Sequence, residues 1–313
     1  MRFPVPLKKG ENVFLVCPSS PVPFQEDIEK CCKAVTDLGF NPILGKSLSE
    51  NYGGYMAGSP ELRVADIHEA FSRKDVSGIF CVRGGYSASQ LLNKLDYGLI
   101  RNNPKVFVGY SDVTNLHIVF NQKCNLGTYH GPMVKSNMID DFNDYTKNSF
   151  LTALKCMSWE YEAPENMPIS FLAGKKKKGQ LSGILTGGNL AIIVTTLGTS
   201  HEIETKGKIL FLEDVDEEIG SLDRMLTHLE YAGKLNDCAG IILGNFAACK
   251  NSYKTDGKEY EVKELFTDFF KDYEKPVIYG LESGHSKPFM ATLPLGGRCS
   301  INMETAEIEF NKN

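Results

Sequence analysis

The stretch SGIFCVRGGYSASQLLNKLDYGLIRNNPKVFVGYSDVTNLHIVF, residues 77–120, decides the fold class. It opens on an apolar run, Ile79-Phe80-Cys81-Val82, that stops at Arg83-Gly84-Gly85-Tyr86. A short apolar run closed by glycines reads as a buried strand entering a loop. Residues 87–95 follow with helical spacing, and Val106-Phe107-Val108 forms a second strand that ends at Gly109-Tyr110-Ser111-Asp112. Val113, Leu116, Val119 and Phe120 then recur at helical intervals. Strands alternating with helices predict a parallel sheet covered on both faces. Ligands of such sheets bind beyond the carboxyl ends of the strands, where the Gly84-Gly85 loop and the Ser111 turn both fall.

The flanking sequence continues the pattern. NVFLVC, residues 12–17, reads as a buried strand that stops at the turn residues Pro18-Ser19-Ser20. Phe24, Ile28, Cys31, Val35 and Leu38 mark a helix closed by Gly39, residues 40–44 a second strand, and residues 60–73 a helix with Pro60 in its first turn. From about residue 136 to residue 180 the pattern weakens, ending in Lys175 to Lys178 between two glycines, which reads as a solvated linker. Beyond it come the run Leu181 to Ile184, the segment Thr186-Gly187-Gly188-Asn189-Leu190 and a helix to Leu197. A strand over residues 208–212 ends in Glu213-Asp214, and residues 221–232 form an amphipathic helix. A strand over 239–243, a helix from Val262 to Phe270 and a short strand at Val277-Ile278 lead to Gly284-His285 and an alternating, β-like end. The expected architecture is α/β. A Rossmann- or flavodoxin-like parallel-sheet domain spans 1–150, a linker 151–179, and a smaller C-terminal α/β domain with a β-rich end 180–313.

Composition narrows the class of function. With 42% hydrophobic and 23% charged residues in 313, the chain has an ordinary globular balance. A formal net charge of −5 suits neither a nucleic-acid backbone nor an anionic membrane, so no partner of either kind is expected. No stretch approaches the roughly 18 apolar residues of a membrane span. The first residues, MRFPVPLKKGENVFLVCPSS, hold no apolar run long enough for a signal peptide. Nine cysteines, an odd count mostly within apolar stretches, read as free thiols in a reducing compartment. A cytoplasmic location is expected.

Ser111 sits where an apolar strand turns sharply into a helix. That geometry exposes a hydroxyl and aims helical N–H groups at it, as the oxyanion of acyl transfer needs. The pattern Gly109-Tyr110-Ser111-Asp112-Val113 lacks the last glycine of a full nucleophile elbow, and Ser111 and Asp112 would each also serve as a helix N-cap. The Gly84-Gly85 loop is a plain turn or a second oxyanion donor. Of six histidines, His285 stands out because it follows a short strand and Gly284 and precedes a turn-rich loop. A neutral imidazole there would take the proton of Ser111 and pass it to the leaving amine. The partner anion is Glu213 at the end of its strand, but Asp214, Asp216 and Glu217 follow closely, and local sequence does not choose among them. The same acids would also cap the helix that starts near Ser221.

Together, VRGGYSASQLLNKLDY, VGYSDVTNLH, TYHGPM, LTGGNLAIIVTTLGT, ILFLEDVDEEIGSLDRMLTHLEYAG and GHSKPFMATLPLG resemble, in order and spacing, the signature blocks of the LD-carboxypeptidases. The resemblance runs from about Gly10 to about Gly296. It implies a serine peptidase with nucleophile Ser111, acid Glu213 and base His285. It also implies oxyanion donors at the backbone N–H groups of Gly85 and Asp112, and Asn189 near the site as a candidate for binding substrate. The implied substrate is a murein tetrapeptide, free or in muramoyl- or UDP-linked form, cut between an L-centre diamino acid and the terminal D-alanine during cytoplasmic cell-wall recycling. No metal or cofactor is implied, and a homodimer is expected. Arg83 and Arg224 are the candidates for holding the substrate's carboxylate. Ser87 departs from the glycine usual after Tyr86, and DVDEEIGSLDR lacks an aromatic residue usual before the helix. A rival within the resemblance is a microcin C immunity-type amidase acting on a peptidyl- or aminoacyl-nucleotide. Such proteins carry an insertion whose aromatic residue stacks on the base, whereas Trp159, the only tryptophan here, lies in the expected linker. A more distant rival is a non-catalytic small-molecule binding module using the two Gly-Gly loops as anion cradles.

Overall fold

The first apolar run becomes β1 (Asn12–Val16) and is followed by α1 (Gln25–Asp37), β2 (Asn41–Leu44), α2 (Pro60–Ser72), β3 (Val76–Cys81), α3 (Tyr97–Asn102), β4 (Val106–Gly109), α4 (Thr114–Cys124), β5 (Thr128–His130) and α5 (Asp144–Lys155). These elements come from a computed structural model that describes residues 1–140, 142–174, 178–252, 257, 259–285 and 287–313. The five strands are parallel, in the order β2-β1-β3-β4-β5. That is the flavodoxin-like winding, whose crevice opens where the order reverses, between β1 and β3.

Local chemistry accounts for these elements. Ser59 accepts from the Leu62 N–H to start α2, with Pro60 in the first turn, and Val64, Ile67, Ala70 and Phe71 face inward. Phe71 meets Phe120 edge-on at 5.6 Å between ring centres, and Phe107 meets Phe120 at 4.9 Å, locking α2 and α4 onto the sheet. Each such ring contributes roughly 1.5–3 kcal/mol by leaving water. Residues 87–95, expected as a helix, form only the 3₁₀ turn Ala88–Leu91. The chain enters that turn through a left-handed Ser87, and Asp96 already caps α3 beyond it, so no room remains for a longer helix.

The rest of the chain supplies β6 (Ser158–Glu160), β7 (Ser170–Ala173), β8 (Gln180–Asn189), α6 (Leu190–Val194), β9 (Ile209–Val215), α7 (Ile219–Tyr231), α8 (Lys234–Asp237), β10 (Gly240–Ala247), α9 (Val262–Phe269), β11 (Val277–Tyr279), β12 (Leu293–Leu295), β13 (Arg298–Asn302) and β14 (Ile308–Asn311). A second sheet runs in the order β6-β14-β13-β8-β9-β10-β11-β7. Strands β8 to β11 are parallel, and the flanking strands antiparallel. The long β8 serves both halves: residues 180–184 pair with β13, and residues 185–189 with β9.

Two departures matter for the site. The stretch 151–179, expected as a linker, holds the end of α5 together with β6 and β7, both of which join the second sheet. Strands of three and four residues with half-exposed faces carry no readable period. The run Lys175–Lys177 lies outside the described residues. In addition, β12 leaves the C-terminal part and pairs antiparallel with β5, setting Leu293 opposite His130. His285 beside the second sheet and Leu293 in the first therefore lie only eight residues apart. Among the described residues no helix is long and apolar enough to cross a membrane. All nine cysteines are free, six of them buried and Cys156 exposed.

Candidate active site

The nucleophile turn is shaped by close packing. A side chain at Gly109 would lie 2.9 Å from Val113 and 3.0 Å from Cys81, so only glycine lets β4 end this near β3. Tyr110 stays extended, and Ser111 takes φ +64°, the left-handed region. A non-glycine residue held there costs roughly 1–3 kcal/mol, a strain typical of functional turns. No side chain caps either the 3₁₀ turn at Ser111–Val113 or α4 behind it. The helix-cap role read from local sequence is therefore filled by neither Ser111 nor Asp112. The Asp112 carboxylate turns to the neighbouring loops, accepting from Ser19 Oγ at 2.6 Å and the Ala88 N–H at 2.8 Å.

The double-glycine loop packs on this turn. A Cβ at Gly84 would sit 2.9 Å from Ser111 Cβ and 3.1 Å from Oγ. Gly85 has φ +112°, and a Cβ on it would collide with Ser20 Oγ. Ser20 donates its N–H to Gly84 O at 3.1 Å and accepts the Tyr86 N–H on its hydroxyl at 3.2 Å. Gly85→Ala is expected to lower kcat/KM by about 10²-fold or more, the cost of a displaced oxyanion donor. Initial rates on folded variant check this; wild-type rates would show that the loop's position does not matter.

Across the cleft, β9 runs on through Val215 instead of stopping before Glu213. Glu213 is fully buried, and its Oε2 lies 2.7 Å from His285 Nδ1. Gly284, at φ +122°, permits this approach, since a Cβ there would stand 2.6 Å from the same oxygen. Burial alone lowers the His285 pKa, but the charge and hydrogen bond of Glu213, with the charge of Asp214, outweigh it and hold the imidazole above its ordinary value. The ring lies 4.8 Å from that of Tyr110, the residue before Ser111.

The other acids have separate work. Asp214 accepts from Asn189 Nδ2, the Ala191 N–H and the Val215 N–H, each at 2.9 Å. Burial, then the Glu213 charge, push its pKa up to about 6. Helix α7 begins after Glu218 with no side-chain cap, so the acidic cluster does not cap it. Asn189 is spent on structure: its Oδ1 accepts the Ile192 N–H, its amide holds Asp214, and its own N–H donates to Thr114 Oγ1 at 3.0 Å. Arg83 is half-buried and donates to Pro21 O at 3.1 Å, while Arg224 lies exposed on α7 and donates to Ser221 Oγ.

Sequence reasoning passed over several supports. His117 bridges Gly109 O at 2.8 Å and Thr128 Oγ1 at 2.9 Å, and burial lowers its pKa to about 4, so it is a neutral brace of β4. His130 is buried against Tyr110 and Phe211. Ser19, Ser20 and Arg63 tie the loops together. A lone serine pair after a strand, or one arginine in a helix, carries no local signal for such roles. Among the described residues no cluster of three or more His, Cys, Asp or Glu side chains is placed to hold a metal ion. The arrangement offers a carboxylate-bound imidazole on one side and a strained serine beside a glycine loop on the other.

Comparison with known proteins adds to this picture. The profile of an LD-carboxypeptidase N-terminal domain matches residues 13–131, and that of an LD-carboxypeptidase C-terminal domain matches residues 182–301. A probable murein peptide carboxypeptidase of Bacillus subtilis (strain 168) is 36% identical over 309 residues, 98% of this chain and 94% of that protein. A crystal structure of muramoyltetrapeptide carboxypeptidase from Oxalobacter formigenes superposes with a TM-score of 0.82 at 27% identity, covering 96% of this chain and 97% of that one. The microcin C7 self immunity protein MccF superposes with a TM-score of 0.88 at 25% identity, covering 99% and 98%.

Proposed function

The chain belongs to the LD-carboxypeptidase family and is a serine-type peptidase, and from that premise we propose that it hydrolyses the bond between the L-centre diamino acid and the terminal D-alanine of murein tetrapeptides. The observation that carries the reading is the 2.7 Å bond between a fully buried Glu213 and His285, on a loop beside the strained Ser111 turn. Free tetrapeptide and its muramoyl- or UDP-linked forms are the proposed substrates, recycled in the cytoplasm by a homodimer.

In the proposed mechanism Nδ1 of His285 is committed to Glu213, so Nε2 is the nitrogen that accepts the Ser111 proton. Ser111 Oγ attacks the carbonyl carbon, and the oxyanion gathers on the backbone N–H groups of Gly85 and Asp112. The C–N bond breaks as imidazolium returns the proton to the departing D-alanine amine, leaving an ester on Ser111. Water, deprotonated by the same imidazole, attacks the ester carbonyl; the C–Oγ bond breaks, the imidazolium returns the proton to Ser111 Oγ, and the tripeptide leaves with its new carboxyl group.

The likeness in fold to MccF favours one second reading, an amidase acting on a peptidyl- or aminoacyl-nucleotide. Trp159 speaks against a base-stacking role: it sits on β6 with its ring 5.7 Å from that of Phe310 and the Lys312 ammonium over it at 5.7 Å. The deciding measurement is D-alanine release from tetrapeptide in lysine and diaminopimelate forms, with EDTA present. Release supports the carboxypeptidase and identifies the preferred diamino acid. No release from either form, with cleavage of an aminoacyl-nucleotide analogue, overturns it in favour of the amidase.

A further inference from the structure

We propose that Arg63 and Ser87 form a latch that holds the Gly84-Gly85 loop against the nucleophile, with Arg63 acting as a positioning residue; this rests on the oxyanion role proposed for that loop. Ser87 holds a backbone conformation that favours glycine. Its φ is +85°, a left-handed conformation that strains an L-residue. Something must hold it there. Arg63 on α2 is 1% exposed, and its Nη1 donates to Ser87 Oγ at 2.9 Å and Ser87 O at 3.2 Å. The Ser87 hydroxyl in turn donates to Tyr86 O. The same Nη1 donates to Pro18 O at 2.7 Å, and Nη2 donates to Gln90 Oε1 at 2.8 Å.

Asp112 completes the grip from the other side. It accepts from Ser19 and Ala88, the residues that directly follow Pro18 and Ser87. Two loops are thus held at successive residues by opposite charges, the cation on carbonyls and the anion on donors. Between these holds lie the Ser20 bonds to Gly84 and Tyr86, and then Gly84 itself, packed on Ser111. Asp112 follows Ser111 directly, so the network runs without a break from the nucleophile to the buried guanidinium. A donor displaced by even about 1 Å costs on the order of 10²-fold in rate.

The test compares Ser87→Ala, Ser87→Gly, Arg63→Met and the Arg63→Met/Ser87→Gly double variant. Ser87→Ala keeps the strain and loses the hydroxyl, so its kcat is expected to fall about 10-fold with KM changed less than about 3-fold. Ser87→Gly removes the strain along with the hydroxyl and is expected to turn over at least ~3-fold faster than Ser87→Ala. Arg63→Met should lose about 10²-fold in kcat, and adding Ser87→Gly should recover about 10-fold of it. Equal rates for Ser87→Ala and Ser87→Gly would overturn the latch, as would losses shared evenly between kcat and KM with no recovery in the double variant. If Arg63→Met does not fold, the two Ser87 variants decide alone. Wild-type D-alanine release, lost in Ser111→Ala, tests the underlying reading separately. Without such release, the variants are compared by the rate at which a fluorophosphonate phosphonylates Ser111, where the same ranking supports the latch and equal rates overturn it.

Discussion

Ser111→Ala is expected to lower D-alanine release by about 10⁴–10⁶-fold while leaving the fold intact. The hydroxyl is the proposed nucleophile, and alanine at φ +64° meets the same backbone demand as serine, so packing around Gly84 and Gly109 is preserved. His285→Ala should lose a comparable factor, because an unassisted hydroxyl is a poor nucleophile at neutral pH. The two losses should not add. A Ser111→Ala/His285→Ala double variant is expected to be no worse than either single one, since the groups act as one unit. Rates of D-alanine release with thermal melts of all three variants provide the check. A His285→Ala enzyme near wild-type activity would remove His285 from the mechanism, and additive losses would mean that the two residues act independently.

Glu213→Gln is expected to lower kcat by about 10³–10⁴-fold. The carboxylate has no route to water, so its charge acts undiluted on the imidazole it touches. Glutamine keeps the volume but removes the charge that stabilises imidazolium. The sign of the pH effect follows from the balance on His285. Burial lowers its pKa, and Glu213 raises it by more. The base works when neutral, so wild-type kcat/KM should rise with pH through that raised pKa. In Glu213→Gln the raising influence is largely gone and burial prevails. The acidic limb of the profile should then move to lower pH, and the deficit relative to wild type should shrink as the medium is acidified. A pH profile of kcat/KM for both proteins measures this. An acidic limb that stays in place would mean that Glu213 does not set the His285 pKa.

The sites differ in how much of them the sequence made legible. The strand–turn–helix at Ser111 is local: Val106 to Gly109 are apolar, Gly109 permits the tight end of β4, and the helical apolar repeat begins within four residues. His285 was legible for the same kind of reason, a histidine just after a glycine in a turn-rich segment. Asn189 was expected to bind substrate on resemblance alone, and nothing local shows that its amide bonds to Asp214 and to the Ile192 N–H. Arg63 carries no local signal of its role. Its burial depends on carbonyls supplied by Pro18 and Ser87, 45 and 24 residues away.

The sequence by itself determined the order of β1 to β4 with helices α1, α2 and α4, the turn that carries Ser111 and the set of acids and histidines available. These follow from periodicity and turn chemistry among near neighbours, which need no knowledge of where the chain goes next. Local sequence left open which acid meets the histidine; the resemblance implied Glu213, and only the tertiary structure supplies the physical reason. Because β9 continues through Val215, Glu213 and Asp214 point to opposite faces of the strand. One face turns Glu213 toward Gly284 and His285, 72 residues on, and the other commits Asp214 to the start of α6. Likewise β12, a three-residue strand with no pattern of its own, finds its place only on the edge of β5. Pairings of that kind join residues far apart in the chain, and their energy comes from burial that exists only after both sheets have formed.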